Sequence, residues 1–462
     1  MNSHHKIHII GLGVAEHAVL SDAAQEALLS CDVIMGSERQ LQSVAHLLVA
    51  NKSPLNEHRT HRLLPKLSTL KACIDELKGK QICVLASGDP LFYGIGRWFS
   101  REFTADSLTP ENTSKELVFH PAISSIQAAC HSQGMSLQDV EVLSLHGRPL
   151  EKIRTKLTAN TQLLILTDKH SHPVALAQEC VAAGFAASRL TVCENLGYAS
   201  EKIQTYAVSD LLASTNLSFS DLNVVIIDVK GLGSFLPVFP GIPDEHYITG
   251  AEPGKGMISK REVRLMILSY LQVGNDDVVW DVGAGCGGVA IELAYWNERA
   301  RVHAIECNSE RAGYLAQNSA RFGVGSNLHI HEGRAPACFI DCPAPNKVFI
   351  GGSDGVLDVL LRDVWQRLPV HGVLVVSSVV EKSKLCVKQF IHELHVNDLG
   401  KEQQSYHVES TELLVKRGME TTEKRKEQKI KEQKIHEEYS GTDVLTYRAK
   451  LPVEIFKFVK GE

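Results

Sequence analysis

The sequence predicts an α/β protein in which two doubly wound sheets follow one another along the chain. Its 462 residues exceed the roughly 100–200 expected of one domain. Short Val/Ile/Leu runs alternate with longer helix-like segments in both halves of the chain. A Gly- and Pro-rich stretch, Gly231–Glu245, interrupts this alternation. We therefore predict domains at 1–230 and 249–462, joined by a linker at 231–248.

The first series of apolar runs predicts one sheet of buried, parallel strands. Such strands are nearly continuous in apolar residues because helices cover both faces of the sheet. Glycine, serine or acidic residues lie at their ends, where an open α/β sheet places its ligands. The candidate strands are His8–Gly11, Ile82–Ala86, Leu117–Phe119, Leu163–Thr167, Leu190–Glu194 and Asn223–Asp228.

The second series begins with a helix and continues as a second sheet. Ser259-Lys260-Arg261-Glu262 matches the capping box, which predicts a helix from here through Leu271. The candidate strands that follow are Val278–Val282, Arg301–Glu306, Asn327–His331, Lys347–Ile350 and Gly372–Ser377.

The end of the second series contains a charged insertion near 417–441. Extended segments at Tyr406–Lys416 and Leu445–Lys460 flank it, and it includes a doubled KEQKI. Its dense charge predicts a solvated helix or a disordered insertion without a functional role.

Charge and hydropathy point to a cytoplasmic enzyme that acts on a small molecule. The net charge is −6 and the basic residues are dispersed, which argues against a nucleic-acid partner. No apolar run approaches the roughly 18 residues of a membrane span. The first residues lack the secretory pattern of a basic flank followed by an apolar stretch.

The cysteines and histidines do not predict a metal site. The eleven cysteines contain no CxxC pair, so reduced thiols are expected. His58 and His61, and likewise His170 and His172, lack partner ligands at a suitable spacing.

A glycine loop in the second domain predicts nucleotide-like cofactor binding. In Val278–Gly288, the residues Gly283, Gly285 and Gly288 satisfy GxGxxG directly after a strand. Glu306 lies at the end of the next strand, where an acid takes ribose hydroxyls. This spacing alone is compatible with NAD, so an NAD-dependent oxidoreductase is one alternative function.

Asp281 favours S-adenosyl-L-methionine over NAD. A carboxylate just before the glycine turn would repel a pyrophosphate, whereas it would attract the ammonium and sulfonium groups of adenosylmethionine. Gly287 adds the GxGxG form that methyltransferases show. The alternative is that the glycines only turn the chain and that Asp281 caps the following helix.

The third and fourth strands refine the prediction of a methyltransferase. The segment after the third strand, His331–Pro336, is where such domains contact adenine, and Ala335 is the candidate for a backbone contact. Arg334 stands where an acid is usual. The fourth strand ends in Ile350–Ser353 without the NPPY-like motif that grips an exocyclic amino group. A nucleic-acid or protein methyltransferase with an accessory domain is therefore the weaker alternative.

Both domains contain sets of short, distinctive motifs. Those in the first domain are GLG (Gly11–Gly13), LASGDPLFYGIG (Leu85–Gly96), PAISS (Pro121–Ser125), SLHGR (Ser144–Arg148) and ENLG (Glu194–Gly197). Those in the second are GIPDE (Gly241–Glu245), ISKREVR (Ile258–Arg264), WDVGAGCG (Trp280–Gly287), AIE (Ala304–Glu306) and VFIGGS (Val348–Ser353). Together they resemble one family, the precorrin-6Y C5,15-methyltransferases (decarboxylating). The resemblance implies an N-terminal tetrapyrrole methylase fold followed by a Rossmann-like class I adenosylmethionine-dependent methyltransferase domain.

The family resemblance implies two S-adenosyl-L-methionine sites that act on one precorrin in cobalamin biosynthesis. The first domain is expected to methylate C5, and the second to methylate C15 and release carbon dioxide from the C12 acetate. Cofactor-binding residues are expected at Gly88, Asp89, Ser124 and Ser125 in the first domain. In the second they are expected at Ser259, Asp281, Gly283, Ala284, Gly285, Cys286, Gly287, Glu306 and Ala335.

The substrate side is less defined by the sequence. A precorrin is strongly anionic, so Lys260, Arg261 and Arg264 are candidate substrate-binding residues, although they could equally form a solvated basic helix face. No catalytic side chain is assigned, because transfer from a sulfonium depends mainly on positioning. A metal-free and a cobalt-containing substrate both remain open. Self-association is expected, because proteins of both component families tend to form homo-oligomers.

Overall fold

The computed structural model describes residues 6–50, 59–104, 116–214, 216–398, 406–420, 445–449 and 452–461. The chain divides into two compact units, Met1–Ser234 and Phe235–Glu462, called unit 1 and unit 2 below. None of the described helices is long and apolar enough to cross a membrane.

Unit 1 contains ten described strands and seven described α-helices. The strands are β1 (Lys6–Gly11), β2 (Val33–Gly36), β3 (Thr60–Leu63), β4 (Ile82–Ala86), β5 (Glu116–His120), β6 (Val140–Ser144), β7 (Gln162–Leu166), β8 (Arg189–Glu194), β9 (Lys202–Ala207) and β10 (Asn223–Asp228). The helices are α1 (Asp22–Ser30), α2 (Glu38–Ala50), α3 (Leu67–Asp75), α4 (Gly96–Thr104), α5 (Ser125–Ser132), α6 (Pro173–Ala182) and α7 (Val208–Ala213).

The first sheet of unit 1 is parallel, with the order β3-β2-β4-β1-β5. The central strands are apolar and buried because helices pack on both faces, as their sequences predicted. β1 and β4 end side by side, with Gly11 opposite Ala86. The loops that follow these two strands therefore meet at one edge of the sheet.

The second sheet of unit 1 corrects the sequence prediction. Three strands that were assigned to a single parallel sheet, β7, β8 and β10, instead belong to a separate five-stranded sheet with the order β6-β7-β10-β8-β9. In it, β10 runs antiparallel to both β7 and β8. The prediction was wrong because a strand buried on both faces is a continuous apolar run whichever way its neighbours run.

Unit 2 contains nine described strands and five described α-helices. The strands are β11 (Val278–Val282), β12 (Arg301–Glu306), β13 (Leu328–Glu332), β14 (Lys347–Ile350), β15 (Val373–Ser378), β16 (Tyr406–Leu413), β17 (Lys416–Glu420), β18 (Leu445–Ala449) and β19 (Val453–Lys460). The helices are α8 (Arg261–Leu271), α9 (Gly288–Trp296), α10 (Ser309–Phe322), α11 (Leu357–Arg367) and α12 (Glu381–Asp398).

The main sheet of unit 2 has the order β13-β12-β11-β14-β15-β19-β16. β11 to β15 are parallel and follow the Rossmann order 3-2-1-4-5, while β19 is antiparallel to both of its neighbours. The predicted strands at Val278–Val282, Arg301–Glu306 and Lys347–Ile350 are confirmed with the same bounds. β17 and β18 pair as a separate ribbon. Residues 417–420 of the predicted insertion therefore form part of a strand, and residues 421–441 lie outside the described residues.

The start of unit 2 differs from the prediction in two ways. The capping box at Ser259 is wrong: α8 begins at Arg261 after Lys260, whose side chain makes no capping hydrogen bond. Part of the predicted linker is built into the core, since Ile242, Asp244 and Tyr247 are buried. Its Gly and Pro content indicated irregular backbone correctly, but irregular backbone can still pack.

Candidate active sites

The backbone amides of the glycine loop in unit 2 donate hydrogen bonds to other atoms of the protein. Gly283 N and Ala284 N both donate to Ile305 O, at 2.9 and 3.0 Å. Gly287 N donates to Ala284 O at 2.9 Å. The amides of Gly285 and Cys286, which lie between these residues, also donate to acceptors within the protein. A loop that cradles a pyrophosphate needs amides free to donate to it, so this arrangement disfavours a dinucleotide.

Neighbouring segments hold the tip of this loop. Gly285 N donates to Glu306 Oε2 at 2.8 Å, and Cys286 N donates to Met257 O at 3.1 Å. Gly285 has a φ of +59°, and a Cβ there would lie 2.5 Å from Met257 O. Glycine is therefore required both by the backbone conformation and by the close approach of residue 257. The predicted cofactor residue Ser259 lies two positions after this contact in the chain.

Glu306 lies beneath the loop and is almost fully buried. Besides the bond to Gly285, its Oε1 accepts from Asn308 N at 2.9 Å and pairs with Arg311 Nη2 at 2.9 Å. These contacts fix the carboxylate at the carboxyl end of β12. This is the position at which an acid takes ribose hydroxyls in Rossmann-like domains.

Asp281 is buried within β11, with one oxygen bonded and the other not. Oδ2 accepts from Ala290 N at 2.9 Å, so it does cap the first turn of α9. Oδ1 is buried and has no partner among the described residues. Burial, opposed by the bond from Ala290 and reinforced by the charge of Glu306, raises the pKa of Asp281 to about 7. A cation that reached Oδ1 would stabilise the ionised form.

Arg334 occupies the position after β13 at which an acid is usual. Its exposed guanidinium forms an ion pair with Asp354, which lies in the loop after β14. The predicted adenine contact, Ala335, is half-buried and packs on a core cluster of unit 2.

The structure removes Arg264 from the candidate substrate residues. Its side chain is fully buried and pairs with Asp244 Oδ1 at 2.7 Å and Glu292 Oε1 at 2.8 Å. It cannot reach a substrate, and the helical spacing did not reveal this because the carboxylates come from distant segments. Lys260 Nζ donates to Gly254 O at 2.7 Å and is half-buried, whereas Arg261 is exposed.

Unit 1 contains a cavity of about 1260 Å³ at the edge where β1 and β4 end. Gly88, Asp89, Ser124 and Ser125 all line it, so the four residues predicted for the first cofactor site come together. Gly13 and Gly88 form a backbone bridge at its floor, in which Gly88 N donates to Gly13 O at 3.0 Å.

Asp89 and Ser124 shape the cavity through the backbone. Asp89 Oδ1 accepts from Leu91 N and Phe92 N at 2.8 and 2.9 Å, and Oδ2 accepts from Ala122 N at 3.2 Å. Ser124 caps α5 in a capping box with Gln127. The Asp89 carboxylate therefore holds the loop at the cavity through three backbone amides.

The cavity also contains basic side chains that the sequence analysis did not single out. Arg39, Arg97, Arg148 and His146 line it. His146 and Arg148 belong to the SLHGR motif, which was the available signal. Gly147 N donates to Asp168 Oδ2 at 2.9 Å, which holds this loop at the cavity. The guanidinium groups suit a ligand that carries several carboxylates.

Comparison with known proteins then identifies the family. Residues 6–212 match the tetrapyrrole (corrin/porphyrin) methylases, and residues 253–412 match the precorrin methyltransferase domain. A Sinorhizobium protein named precorrin-6Y C(5,15)-methyltransferase (decarboxylating) is 33% identical over 80% of this chain and 84% of its own length. The chain belongs to the precorrin-6Y C5,15-methyltransferase (decarboxylating) family.

Other relatives of this precorrin-6Y methyltransferase family carry single activities in their names. A Methanothermobacter thermautotrophicus protein named probable cobalt-precorrin-6B C(15)-methyltransferase (decarboxylating) is 32% identical over 34% of this chain and 83% of its own length. A Salmonella typhimurium protein named cobalt-precorrin-7 C(5)-methyltransferase is 29% identical over 48% of this chain and 98% of its own length. Methylases of this family use S-adenosylmethionine. The tetrapyrrole methylase fold is that of unit 1, and the Rossmann-like domain is unit 2.

Proposed function

We propose that this chain methylates a precorrin at C5 and C15 and releases carbon dioxide from the C12 acetate, in cobalamin biosynthesis. The observation that carries the proposal is the 33% identity to a precorrin-6Y C(5,15)-methyltransferase over most of both chains. Both a metal-free and a cobalt-containing substrate remain open, since one matching relative is named for a precorrin and another for a cobalt-precorrin.

We propose that each unit holds its own S-adenosyl-L-methionine. In unit 1, the support is the cavity that gathers Gly88, Asp89, Ser124 and Ser125. In unit 2, the support is the loop at 283–287, whose amides leave no cradle for phosphates, together with the unpartnered Oδ1 of Asp281. A buried carboxylate oxygen without a partner fits a cationic cofactor better than an anionic one.

We assign C5 methylation to unit 1 and C15 methylation with decarboxylation to unit 2. Relatives that cover only about half or a third of the chain bear one of these activities each, which supports two separable sites. The arginines of the unit 1 cavity would bind the acetate and propionate arms of the substrate. In unit 2, Lys260 and Arg261 remain candidates for that role.

The chemistry requires little from protein side chains. S-adenosylmethionine supplies an activated methyl group, which a carbon of the tetrapyrrole attacks in line with the departing sulfur. In the decarboxylation, the bond between the acetate CH2 and its carboxylate breaks. The electron pair enters the conjugated macrocycle, and a proton is taken up as carbon dioxide leaves. The residues of this chain position the partners and exclude water from the acetate.

The test is a titration combined with product analysis. Adenosylhomocysteine should bind with two equivalents per chain, whereas NADH should not bind. With a precorrin and adenosylmethionine, the product mass should show two added methyl groups and one lost carbon dioxide. A single equivalent of adenosylhomocysteine would remove the two-site model, and binding of NADH would favour an oxidoreductase.

Two substitutions test the division of labour. Glu306→Ala should abolish C15 methylation and leave C5 methylation measurable, and Asp89→Ala should have the opposite effect. Loss of both methylations in either folded variant would show that the two sites are coupled. Self-association and a cytoplasmic location stay predictions from the sequence.

A further inference from the structure

Three possible metal ligands lie together in unit 2, away from the glycine loop. His303, His331 and Cys342 each present one ligand atom, and these atoms lie within 4.8 Å of one another. In the parallel register, His303 is opposite His329 and Ile305 is opposite His331. The two ligand histidines are therefore on the same face of neighbouring strands. Cys342 directly follows the 3₁₀ helix at Ala337–Asp341.

Two of the three ligand atoms already approach each other closely. His303 Nδ1 is 2.9 Å from His331 Nε2, so these two atoms share a hydrogen bond. His303 is only 6% exposed, so this pair of nitrogens is largely shielded from water. The other ring nitrogen of His303, Nε2, has no partner among the described residues, and a metal placed between the first two atoms would not bind it.

A second histidine pair shows what packing alone produces. In unit 1, His8 Nδ1 and His120 Nε2 are 3.0 Å apart across β1 and β5, with the same two-residue offset. Within the described part of the chain, the buried atoms without a partner include none from this pair, and no cysteine forms a ligand cluster with it. The pairing itself therefore needs no metal. The Cys342 thiol, which lies within 4.8 Å of both histidine ligand atoms, distinguishes the cluster in unit 2.

We propose that His303, His331 and Cys342 bind one zinc ion, with solvent as an exchangeable fourth ligand. Two imidazoles and a thiolate suit zinc, whereas magnesium and calcium prefer oxygen ligands. Two nitrogens that each lie about 2.0–2.1 Å from a tetrahedral zinc are about 3.3 Å apart. The existing separation of 2.9 Å needs to open by only a few tenths of an ångström.

The protonation state of His303 favours metal binding, whereas that of Cys342 opposes it. Burial, together with the neighbouring His329 and His331, lowers the pKa of His303 to about 4, so its ring is already neutral near pH 7. Burial raises the pKa of the Cys342 thiol to about 11, so a metal has to displace its proton.

Zinc here would tie three segments together. It would link β12 and β13 to the segment after β13, which contains Ala335, our candidate adenine contact. That segment is also held by the ion pair between Arg334 and Asp354 and by packing of Phe339 on Trp280, with ring centroids 4.5 Å apart. Zinc is therefore expected to stabilise unit 2 without taking part in methyl transfer.

The test measures metal content in the full-length chain. Chelator-treated, reduced protein is dialysed against zinc, and bound zinc is measured per chain. We expect one equivalent. Cys342→Ser and His331→Asn should each weaken binding by about 100-fold or more, since even outer-shell substitutions cost about 10–100-fold. The matched controls, Cys386→Ser and His120→Asn, should retain the full equivalent. Far-UV circular dichroism establishes that each variant is folded.

Cobalt provides a readout that needs no variant. Co2+ added to the unaltered chain should produce a thiolate charge-transfer band that saturates at one equivalent and disappears when zinc is added. Absence of that band, or no zinc bound by the unaltered chain, overturns the proposal. Full zinc retention in folded Cys342→Ser and His331→Asn also overturns it. None of these readouts depends on methylation, so the result stands apart from the proposed function.

Discussion

Arg264 donates a hydrogen bond from Nε to Oε1 of Glu292 at 2.8 Å, and both side chains are fully buried. A second nitrogen of Arg264 reaches Asp244 at 2.7 Å, and Glu292 Oε2 accepts from Gly241 N at 2.7 Å. Two of the family motifs, Gly241–Glu245 and Ile258–Arg264, and helix α9 thus meet in one network. Because α9 begins at the glycine loop, the network sets the position of that loop.

Removal of Arg264 should strongly destabilise unit 2. Arg264→Ala would leave two carboxylates buried without their cation, at a cost of about 3–5 kcal/mol. Denaturant unfolding followed by tryptophan fluorescence measures the effect, since three of the four tryptophans, Trp280, Trp296 and Trp365, lie in unit 2.

Arg261 provides the matched control for Arg264. It lies on the same helix but is exposed, so Arg261→Ala should change the free energy of unfolding by no more than about 0.5 kcal/mol. Equal effects of the two substitutions would contradict the role assigned to the buried network.

Binding of adenosylmethionine at unit 2 should depend on the ionisation of Asp281. Its pKa is raised to about 7, so the folded protein keeps a proton that the unfolded chain loses near pH 4. This group therefore lowers stability as the pH rises from about 4 to about 7. The cationic cofactor prefers the ionised form, so its affinity should rise with pH and level off above 7, by up to about tenfold per unit below it.

Calorimetry in the Asp89→Ala background isolates the second site for this measurement. Asp281→Asn preserves an acceptor for Ala290 N but cannot ionise, so its affinity should be low and should not vary between pH 5.5 and 8. If the affinity of Asp281→Asn rose with pH as that of the unsubstituted protein does, another group would bind the cation.

Gly285→Ala should abolish the second cofactor site alone. The added Cβ would lie 2.5 Å from Met257 O on a residue with φ of +59°. Strain of this kind costs more than about 1 kcal/mol and displaces the loop. Adenosylhomocysteine binding should fall from two equivalents to one, and C5 methylation should persist.

Gly313→Ala is the control for that substitution. Gly313 lies within α10, where an added Cβ would meet no atom within 4 Å. Alanine should therefore stabilise the helix by about 0.5–1 kcal/mol and leave both equivalents intact. If Gly285→Ala retained two equivalents, the loop would not form the second site.

The arginines of the unit 1 cavity should affect substrate rather than cofactor. Arg97→Ala and Arg148→Ala should each raise KM for the tetrapyrrole in C5 methylation by about tenfold, the lower end for a charge-assisted hydrogen bond at an exposed site. Affinity for adenosylhomocysteine should not change. Arg62, exposed on β3 away from the cavity, provides the control. An unchanged KM in both cavity variants would place the substrate carboxylates elsewhere.

The sequence by itself determined the local features of both candidate sites. The strand–glycine loop–helix unit at 278–296 and the acid at Glu306 were predictable because hydrophobic runs, glycine spacing and strand ends are local properties. The four residues that gather at the unit 1 cavity came from the family resemblance, whose motifs follow predicted strands.

Only the tertiary structure decided which distant side chains meet. The sequence predicted Arg264 as part of a basic helix face. In the structure it is buried and pairs with Asp244 and Glu292, which are 20 and 28 residues away in the chain. The antiparallel second sheet of unit 1 was hidden because buried strands of either direction are equally apolar. His303, His331 and Cys342 have no metal-site spacing in sequence. The parallel register of two strands and the return of the chain after β13 bring them together, and no single stretch of residues records either.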